Sequence, residues 1–230
     1  MPQILITGAN RGLGLALAEE YAGRGWRVRA TCRNPAQAEA LHALAQTHPE
    51  ISVHALDVSA HETIDQLAAA LDGEAIDVLC NNAGIGGGGK GLGALDYAHW
   101  SEVLAVNLLG AVKVSESFLP HVQRSAEKKI VAIASSLGSI STTRGGNYAY
   151  RTSKAALNMA MRSLAMDLKE SGVIVAPLSP GIVDTDFTRG ARMPKISAAE
   201  SARGLADTIA RLTLEEAGAF IRYNGETVPW

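Results

Sequence analysis

The chain has 230 residues, with 21 Lys and Arg against 23 Asp and Glu, so its formal net charge is −2. Hydrophobic residues make up 47% and charged residues 19%, a globular balance that excludes a disordered chain, a collagen-like repeat and a disulfide scaffold. The near-neutral charge argues against a partner that is nucleic acid or a membrane surface, since both require a concentrated basic face.

The N-terminal segment, the length of the apolar segments and the cysteines together indicate the cellular compartment. The N-terminal segment has no charged stretch followed by an apolar core, so it does not resemble a signal peptide. The apolar segments are strand-sized, and none approaches the roughly 20 residues that span a bilayer. Cys32 and Cys80 lie far apart, and neither they nor the six histidines show metal-ligand spacing. We therefore expect one cytoplasmic domain over residues 1–230, without a metal site.

Seven short apolar segments alternate with helical patterns along the chain. Most are continuously apolar, which is typical of strands buried on both faces of a sheet. This alternation predicts an α/β fold, a single doubly wound Rossmann domain with a seven-stranded parallel sheet and helices on both faces. Serine followed by glutamate three residues later predicts capping boxes at Ser59 and Ser197. The predicted strands are residues 4–7, 26–32, 51–56, 76–80, 130–134, 173–178 and 219–221.

The first strand leads into a glycine-rich turn that opens a helix. Glycines let the backbone approach a pyrophosphate closely, and the free N–H groups of the helix N-terminus then bind it. The spacing is G-x-x-x-G-x-G rather than G-x-G-x-x-G, and packing alone is the alternative reason for it. Because the turn joins a strand to a helix, we expect it to bind a dinucleotide. The expected contacts are Gly8, Asn10, Arg11, Gly12, Leu13 and Gly14.

The end of the second strand indicates which dinucleotide is bound. An NAD site usually places an acidic residue there for the ribose hydroxyls, but residues 29–34 contain none. Instead Arg33 follows the strand and Arg11 lies in the glycine turn. Two guanidinium groups suit a 2′-phosphate, so the pattern favours NADP(H). The alternative is that both are solvated surface arginines.

A second glycine-rich segment, residues 84–91, follows the fourth predicted strand. It nearly matches a phosphate-binding P-loop, but Gly91 stands where that loop needs Ser or Thr for magnesium. We interpret the segment as a flexible loop over the cofactor or the substrate.

Two predicted helices, residues 100–118 and 155–168, are apolar on more than one face. One apolar face packs on the sheet, and a second one needs another partner. The pattern predicts a homo-oligomer, a homodimer or homotetramer. A deeply buried core helix is the alternative.

Tyr150 and Lys154 begin a predicted helix that reaches about residue 169. Four residues apart, they share one helix face, and an ammonium beside a phenol lowers the pKa of that phenol toward neutrality. Such a pair also occurs by chance on helix surfaces. Here polar residues also follow three buried strands, at the sheet edge where α/β folds bind ligands. These groups are residues 81–84, 135–136 and 179–181.

Over essentially its full length the chain resembles the short-chain dehydrogenases/reductases. The motifs that match that family are the glycine turn, the Asn-Asn-Ala-Gly segment 81–84, the Tyr-x-x-x-Lys pair and the segment 180–185. Residues 135–140 and 223–230 are similar to the sniffer/C-factor group, whose members are NADP(H)-dependent carbonyl reductases or reductase-like signalling proteins.

The resemblance implies a role for each matching residue. Tyr150 gives a proton to the carbonyl oxygen, Lys154 lowers the pKa of Tyr150 and binds the nicotinamide ribose, and Ser136 hydrogen-bonds the same oxygen. Asn107 holds a water that links Lys154 to solvent. Ser136 lies one residue further from Tyr150 than in many relatives, and Ser135 remains a rival. The further cofactor contacts that the resemblance implies are Asp57, Val58, Asn82, Ala83, Gly84, Tyr150, Lys154, Pro180, Gly181, Val183 and Thr185.

The sequence therefore predicts an NADP(H)-dependent oxidoreductase that reduces a small-molecule carbonyl or oxidises a secondary alcohol. A reductase of C=N or C=C bonds would use the same proton donor. A non-catalytic NADP(H)-binding regulator is the alternative from another class. Residues 184–195 predict a substrate lid hinged at Gly190, with Phe187, Met193 and Trp230 lining an apolar pocket.

Overall fold

The computed structural model describes residues 1–88, 91–189 and 193–230. In these residues seven strands form one parallel sheet, in the order β3-β2-β1-β4-β5-β6-β7. This confirms the predicted fold, and each predicted strand agrees with the observed one to within two residues. The strands are β1 (Gln3–Ile6), β2 (Arg27–Cys32), β3 (Ile51–Ala55), β4 (Val78–Asn81), β5 (Lys129–Ile133), β6 (Ile174–Ser179) and β7 (Ile221–Arg222).

Helices cover both faces of the sheet. Alternate residues of β1 show why, since Ile4 and Ile6 join one buried cluster and Leu5 joins the other. Helices α1 and α7 lie over the first cluster, and α3, α5 and α6 lie over the second. The helices are α1 (Gly12–Gly23), α2 (Glu39–Thr47), α3 (His61–Ala70), α4 (Tyr97–Leu104), α5 (Ala111–Gln123), α6 (Tyr148–Leu168) and α7 (Ala198–Arg211), and a π-helical segment (Ala105–Gly110) joins α4 to α5.

The strand order reverses at β1, which pairs with β2 on one side and β4 on the other. In open α/β sheets such a reversal leaves a crevice at the carboxyl ends of the strands, and ligands bind in it. The glycine turn after β1 and the polar segment after β4 both lie at this crevice.

The continuous helix formed by α4, the π segment and α5, Tyr97–Gln123, is long and apolar enough by length and composition to cross a membrane. This corrects the expectation that no apolar segment approaches that length. In the fold Val114, Phe118 and Val122 of this helix are fully buried against the sheet. The helix therefore serves here as a core helix.

Of the two predicted capping boxes, the one at Ser59 is wrong, and at Ser197 the structure shows the N-cap half of the box. Helix α3 begins at His61 with Ala60 as its N-cap, because the hydroxyl of Ser59 donates instead to Oδ1 of Asp57 at 2.6 Å. At α7 the hydroxyl of Ser197 accepts the N–H of Glu200 at 3.0 Å, as an N-cap serine does.

Candidate active site

The glycine turn between β1 and α1 is built on backbone conformations that only glycine adopts easily. Gly8 has a φ of +67° and Gly12 a φ of +56°, both in the left-handed region. A Cβ on Gly14 would lie 2.3 Å from the carbonyl oxygen of Gly8, so α1 packs on the turn only with glycine there. The turn therefore brings the backbone of α1 close to the crevice.

The N-terminus of α1 fits a bound phosphate. Among the described residues no side chain caps it, and its first turn contains no acidic residue. The first N–H groups of a helix have no intrahelical partner and carry the positive end of the helix dipole. Arg11, the N-cap residue, is exposed beside them. An anion that accepts hydrogen bonds from these N–H groups would satisfy this end of the helix. The pyrophosphate of a dinucleotide is such an anion.

The segment after β4 fastens the glycine turn in place. Nδ2 of Asn82 donates to the carbonyl oxygens of Thr7 at 2.9 Å and Gly8 at 3.1 Å. The hydroxyl of Thr7 accepts the N–H groups of Asn82 and Ala83, each at 3.0 Å. The sequence predicted cofactor contacts for Asn82 and Ala83, and the structure gives them this additional role of shaping the turn.

Arg33 stands at the rim of a cavity of about 330 Å³ beyond the end of β2. Asp57 lies on the other side, and burial by itself would raise the pKa of its carboxyl. The hydrogen bonds from the hydroxyl and N–H of Ser59, together with the nearby Arg33 guanidinium, outweigh burial and lower that pKa. A charged arginine and an ionised carboxylate thus border this cavity. The remaining lining residues are Ala55, Leu56, Thr63, Gln66 and Leu67.

Val58 supports this side of the crevice. It is buried, and a Cβ on Gly110 would lie 2.5 Å from its carbonyl oxygen, so the π segment packs closely on the residues after β3.

Tyr150 and Lys154 share one face of α6, as predicted, and both are almost fully buried. Nζ of Lys154 lies 5.8 Å from the centroid of the Tyr150 ring and donates to the carbonyl oxygen of Ile133 at 2.7 Å. Burial lowers the pKa of Lys154 to about 8. At neutral pH Lys154 is therefore still mainly a cation.

The expected lowering of the Tyr150 pKa is not what the structure gives. Burial raises the pKa of Tyr150 to about 12, and a hydrogen bond with Ser135 opposes that rise only in part. The physical reason is that the phenol is enclosed and its polar partner is a neutral hydroxyl. At neutral pH Tyr150 therefore holds its proton.

The structure places Ser135, rather than Ser136, beside Tyr150. Ser135 has an extended backbone and caps the short turn Ser136–Gly138, and its hydroxyl hydrogen-bonds the Tyr150 side chain. Ser136 is exposed within that turn. The geometry therefore favours Ser135 over the predicted Ser136 as the serine beside Tyr150, because Ser136 lies in the exposed turn.

Asn107 lies in the π segment and is fully buried. Its Oδ1 accepts the N–H of Ile85 at 2.8 Å, and its Nδ2 donates to the carbonyl oxygen of Ile85 and to the hydroxyl of Ser153, both at 3.0 Å. A Cβ on Gly84 would lie 3.2 Å from Oδ1 of Asn107 and 3.7 Å from Nζ of Lys154. Asn107 thus connects the loop after β4 to α6, and Gly84 leaves room beside both polar groups. The water role predicted for Asn107 stays a prediction.

The segment after β6 passes over the glycine turn. Gly181 has a φ of +81°, and a Cβ on it would lie 3.0 Å from side-chain atoms of Ile196 and Tyr223. The Pro180 carbonyl accepts the hydroxyl of Ser201 at 2.7 Å, and Val183 pairs with Ile196.

Thr185 lies further along this segment. Its side chain caps the short turn Asp186–Thr188, and its methyl carbon lies 3.4 Å from the Cβ position of Gly12. This segment therefore forms a wall of the crevice opposite the glycine turn.

Phe187 lies on the side of this wall that faces Tyr150. Its ring centroid is 5.5 Å from that of Tyr150, and the side chain is half exposed. Gly190, the predicted hinge, lies outside the described residues, as do Gly89 and Lys90 of the glycine-rich loop.

Trp230, predicted to line the apolar pocket, makes its ring contacts with Phe220 and Arg162. Its ring packs against Phe220 at 5.7 Å and lies 5.5 Å from the guanidinium carbon of Arg162. Arg162 comes three turns after Tyr150 on α6, about 18 Å along the helix at 1.5 Å per residue. The Trp230 carbonyl oxygen also accepts the N–H of Ser141 at 2.8 Å, in the loop that leads to α6, and its place in the pocket stays a prediction. Among the described residues no group of three His, Cys, Asp or Glu is placed to hold a metal ion.

Comparison with known proteins finds relatives of this chain in both sequence and structure. The family model "short chain dehydrogenase" matches residues 2–195. The C-signal protein of Myxococcus xanthus is 41% identical over 156 residues, which cover 67% of this chain and 93% of that protein. The structure is similar to the carbonyl reductase Sniffer of D. melanogaster, with a TM-score of 0.92, 33% identity and full coverage of both chains. It is also similar to the NADPH-bound carbonyl reductase from chicken fatty liver, with a TM-score of 0.93, 31% identity, and coverage of 100% and 99%.

Proposed function

The chain belongs to the short-chain dehydrogenase family, and from that premise we propose that it is an NADP(H)-dependent oxidoreductase that reduces a carbonyl group or oxidises the corresponding secondary alcohol. The observation that carries the proposal is the position of Tyr150. Its phenol is buried, protonated at neutral pH, hydrogen-bonded to Ser135 and close to the cation of Lys154. Those are the properties of a proton donor to a carbonyl oxygen.

The proposed chemistry divides between hydride transfer and proton transfer. NADP(H), when bound, supplies the hydride to the carbonyl carbon or accepts it from the alcohol carbon. Tyr150 gives its proton to the carbonyl oxygen, and the hydroxyl of Ser135 donates a hydrogen bond to the same oxygen as negative charge develops on it. The Lys154 ammonium then stabilises the phenolate that remains. In the oxidation direction Tyr150 takes the proton back.

Cofactor recognition is proposed along the other half of the crevice. The uncapped N-terminus of α1 and Gly84 leave room for the pyrophosphate and the nicotinamide ribose. Asp57 and Val58 border the cavity proposed for the adenine, and Arg11 and Arg33 are the candidates for the 2′-phosphate. The neighbour from chicken, which is NADPH-bound, supports this choice of cofactor.

The location and the assembly are further parts of the proposal. The free thiols Cys32 and Cys80 are buried, as is usual in a reducing cytoplasm. Leu109, Met159 and Met166 expose half or more of their surface, although other faces of their helices are buried. This exposed apolar surface supports a homodimer or homotetramer. A non-catalytic regulator is not favoured, because cofactor binding alone does not require the cluster of Ser135, Tyr150 and Lys154.

The proposed activity is tested by NADPH consumption against a panel of aldehydes, ketones and quinones, with NADP⁺ reduction by secondary alcohols as the reverse assay. We expect turnover with at least one carbonyl class. NADPH binding is measured separately by fluorescence. Tight NADPH binding with no turnover on any carbonyl or alcohol would refute the proposed activity and favour a regulator.

Replacing Arg33 with Asp tests the cofactor preference. If Arg33 binds the 2′-phosphate, the affinity for NADPH falls and that for NADH changes little, so the preference for NADPH decreases at least about tenfold, since a charge-assisted hydrogen bond contributes roughly 1.5–3 kcal/mol. The dissociation constants of both cofactors, measured by fluorescence titration, check this.

Arg27→Asp is the matched control for the Arg33 variant. Arg27 is an exposed arginine at the opposite end of β2, about 20 Å away at 3.3 Å per residue, and the substitution changes the net charge equally. Equal losses for NADPH and NADH in Arg33→Asp, or the same shift in Arg27→Asp, would show that Arg33 does not select the cofactor.

A further inference from the structure

The loop after β4, residues 85–88, forms one wall of the crevice at Tyr150. A Cβ on Gly87 would lie 2.6 Å from the backbone nitrogen of Tyr150, so this part of the loop rests directly on the start of α6. A Cβ on Gly86 would lie 3.8 Å from the ring of Phe187, whose centroid is 5.5 Å from that of Tyr150. The 85–88 loop thus contacts both sides of the place where a carbonyl substrate would meet Tyr150.

Two side chains hold this loop in place, Asn107 of the π segment and His99 of α4. Asn107 holds Ile85 at two points. Its Oδ1 accepts the N–H of Ile85 at 2.8 Å, and its Nδ2 donates to the carbonyl oxygen of Ile85 at 3.0 Å. His99 of α4 holds the next residue, because its Nε2 lies 2.9 Å from the carbonyl oxygen of Gly86. Behind the loop lies a cavity of about 150 Å³, lined in part by His99, Trp100 and Tyr148, which leaves the loop space to shift if a tether is released. Of the two tethers only His99 titrates.

The partners of His99 require both ring nitrogens to carry hydrogen. Nδ1 lies 3.2 Å from a carboxylate oxygen of Glu102, and Nε2 faces the Gly86 carbonyl. Both partners are only acceptors, so a neutral imidazole satisfies one of them and the imidazolium satisfies both. Hydrogen bonding to Glu102 and then to Gly86, aided by the charges of Glu102 and Asp96 and opposed by burial, raises the pKa of His99 above its usual range.

Among the residues that the structure describes, the other groups around the ring leave this assignment unchanged. Asp96 and Glu102 come from the α4 side, and Tyr148 of α6 faces the ring across the cavity. The 85–88 loop contributes no titratable side chain. The two carboxylates both favour the cation.

We propose that His99 is a positioning residue for the carbonyl substrate, whose protonated ring holds the 85–88 loop in the form that binds substrate beside Tyr150 and Phe187. This inference rests on the proposed function. Loss of the ring proton leaves one N–H, and the charged carboxylate of Glu102 binds it more strongly than the Gly86 carbonyl does. The loop then loses its second tether, and substrate binding weakens while the proton donor Tyr150 is untouched. Because the pKa of His99 is raised, the tether persists above pH 6.5 and is lost as the pH rises through the folded-state pKa.

The kinetic test separates KM from kcat. From about pH 5.5 to about 8.5, KM of the wild-type enzyme for a carbonyl substrate should rise roughly threefold to tenfold, the factor that one ordinary hydrogen bond represents. His99→Gln keeps an N–H donor for the Gly86 carbonyl and does not titrate, so its KM should stay flat with pH. Glu102→Gln should move the midpoint of the wild-type rise to lower pH. Titration of Lys154 is common to all three proteins and cancels in the comparison.

A second readout needs no turnover. Nuclear magnetic resonance titration of the His99 ring gives its pKa, and hydrogen exchange of the N–H groups of Gly86, Gly87 and Gly88 reports the loop. Corrected for the intrinsic effect of pH, exchange in the wild type should accelerate at the His99 midpoint, and in His99→Gln it should not. If no carbonyl is turned over, the proposed function fails while this step still tests the tether. Exchange indifferent to His99 protonation, or identical KM profiles in the wild type and His99→Gln, would overturn the inference.

Discussion

Tyr150→Phe should lower kcat for the best carbonyl substrate by roughly 100- to 10,000-fold, the range for removing a general acid. The dissociation constant for NADPH should remain within about twofold of the wild type, since the phenol is not among the groups proposed to hold the phosphates. Phenylalanine keeps the buried ring and its packing against Phe187, so the only loss is the hydroxyl that hydrogen-bonds Ser135. Steady-state NADPH oxidation and fluorescence titration of NADPH measure the two quantities.

Tyr148→Phe is the matched control for this variant. Tyr148 lies two residues earlier on α6, so it points to a different side of the helix, where its ring is 6.3 Å from that of Trp100. Removing its hydroxyl should leave kcat near the wild-type value. Substantial turnover by Tyr150→Phe, or equal damage in the two variants, would refute the role of Tyr150 as proton donor.

The sheet could be predicted because its strands are buried on both faces. Residues 4–6 show this directly, since Ile4 and Ile6 pack on one side and Leu5 on the other, so the whole segment must be apolar. Strands of this kind are short continuous apolar segments, and their carboxyl ends all meet at one edge. The shared face of Tyr150 and Lys154 follows equally from helical periodicity. These features depend on local spacing, which a sequence records.

What could not be predicted depends on contacts between distant segments. The ammonium of Lys154 bonds the carbonyl of Ile133, and the phenol of Tyr150 is enclosed, so burial governs both pKa values instead of the attraction between the two groups. The tether from His99 to Gly86 joins a helix to a loop that has no regular pattern. At α3, Asp57 takes the hydroxyl of Ser59 that would otherwise cap the helix. In each case the residue contacts a partner that the spacing of residues in the sequence does not reveal.

The choice between Ser135 and Ser136 has the same origin. The two adjacent serines follow the same strand, and spacing to Tyr150 could not separate them because the length of the intervening loop is not fixed. The backbone separates them, since Ser135 is extended with φ −164° and ψ 145° while Ser136 begins a tight turn. Consecutive residues at such a change of conformation point in different directions.

Ser135→Ala should therefore lower kcat by roughly 100- to 1,000-fold, the range for removing one hydrogen-bond donor to a developing oxyanion. The hydrogen bond from Ser135 lowers the pKa of Tyr150, so its loss should also shift the pH dependence of kcat toward higher pH. Ser135 also accepts the N–H of Leu137 at 3.1 Å, and loss of that cap costs about 1 kcal/mol of stability. Activity is measured by NADPH oxidation across pH, and stability by thermal unfolding.

Ser136→Ala removes the same hydroxyl from the neighbouring residue and is the control for this effect. Its side chain is exposed in the turn, so kcat and its pH dependence should stay near those of the wild type. If Ser136→Ala were the more damaging substitution, the geometry of the turn would have to change when substrate binds, and the assignment of Ser135 would be wrong. A loss confined to Ser135→Ala, with the protein folded at the assay temperature, would instead mean that the extended residue before the turn holds the carbonyl oxygen for Tyr150.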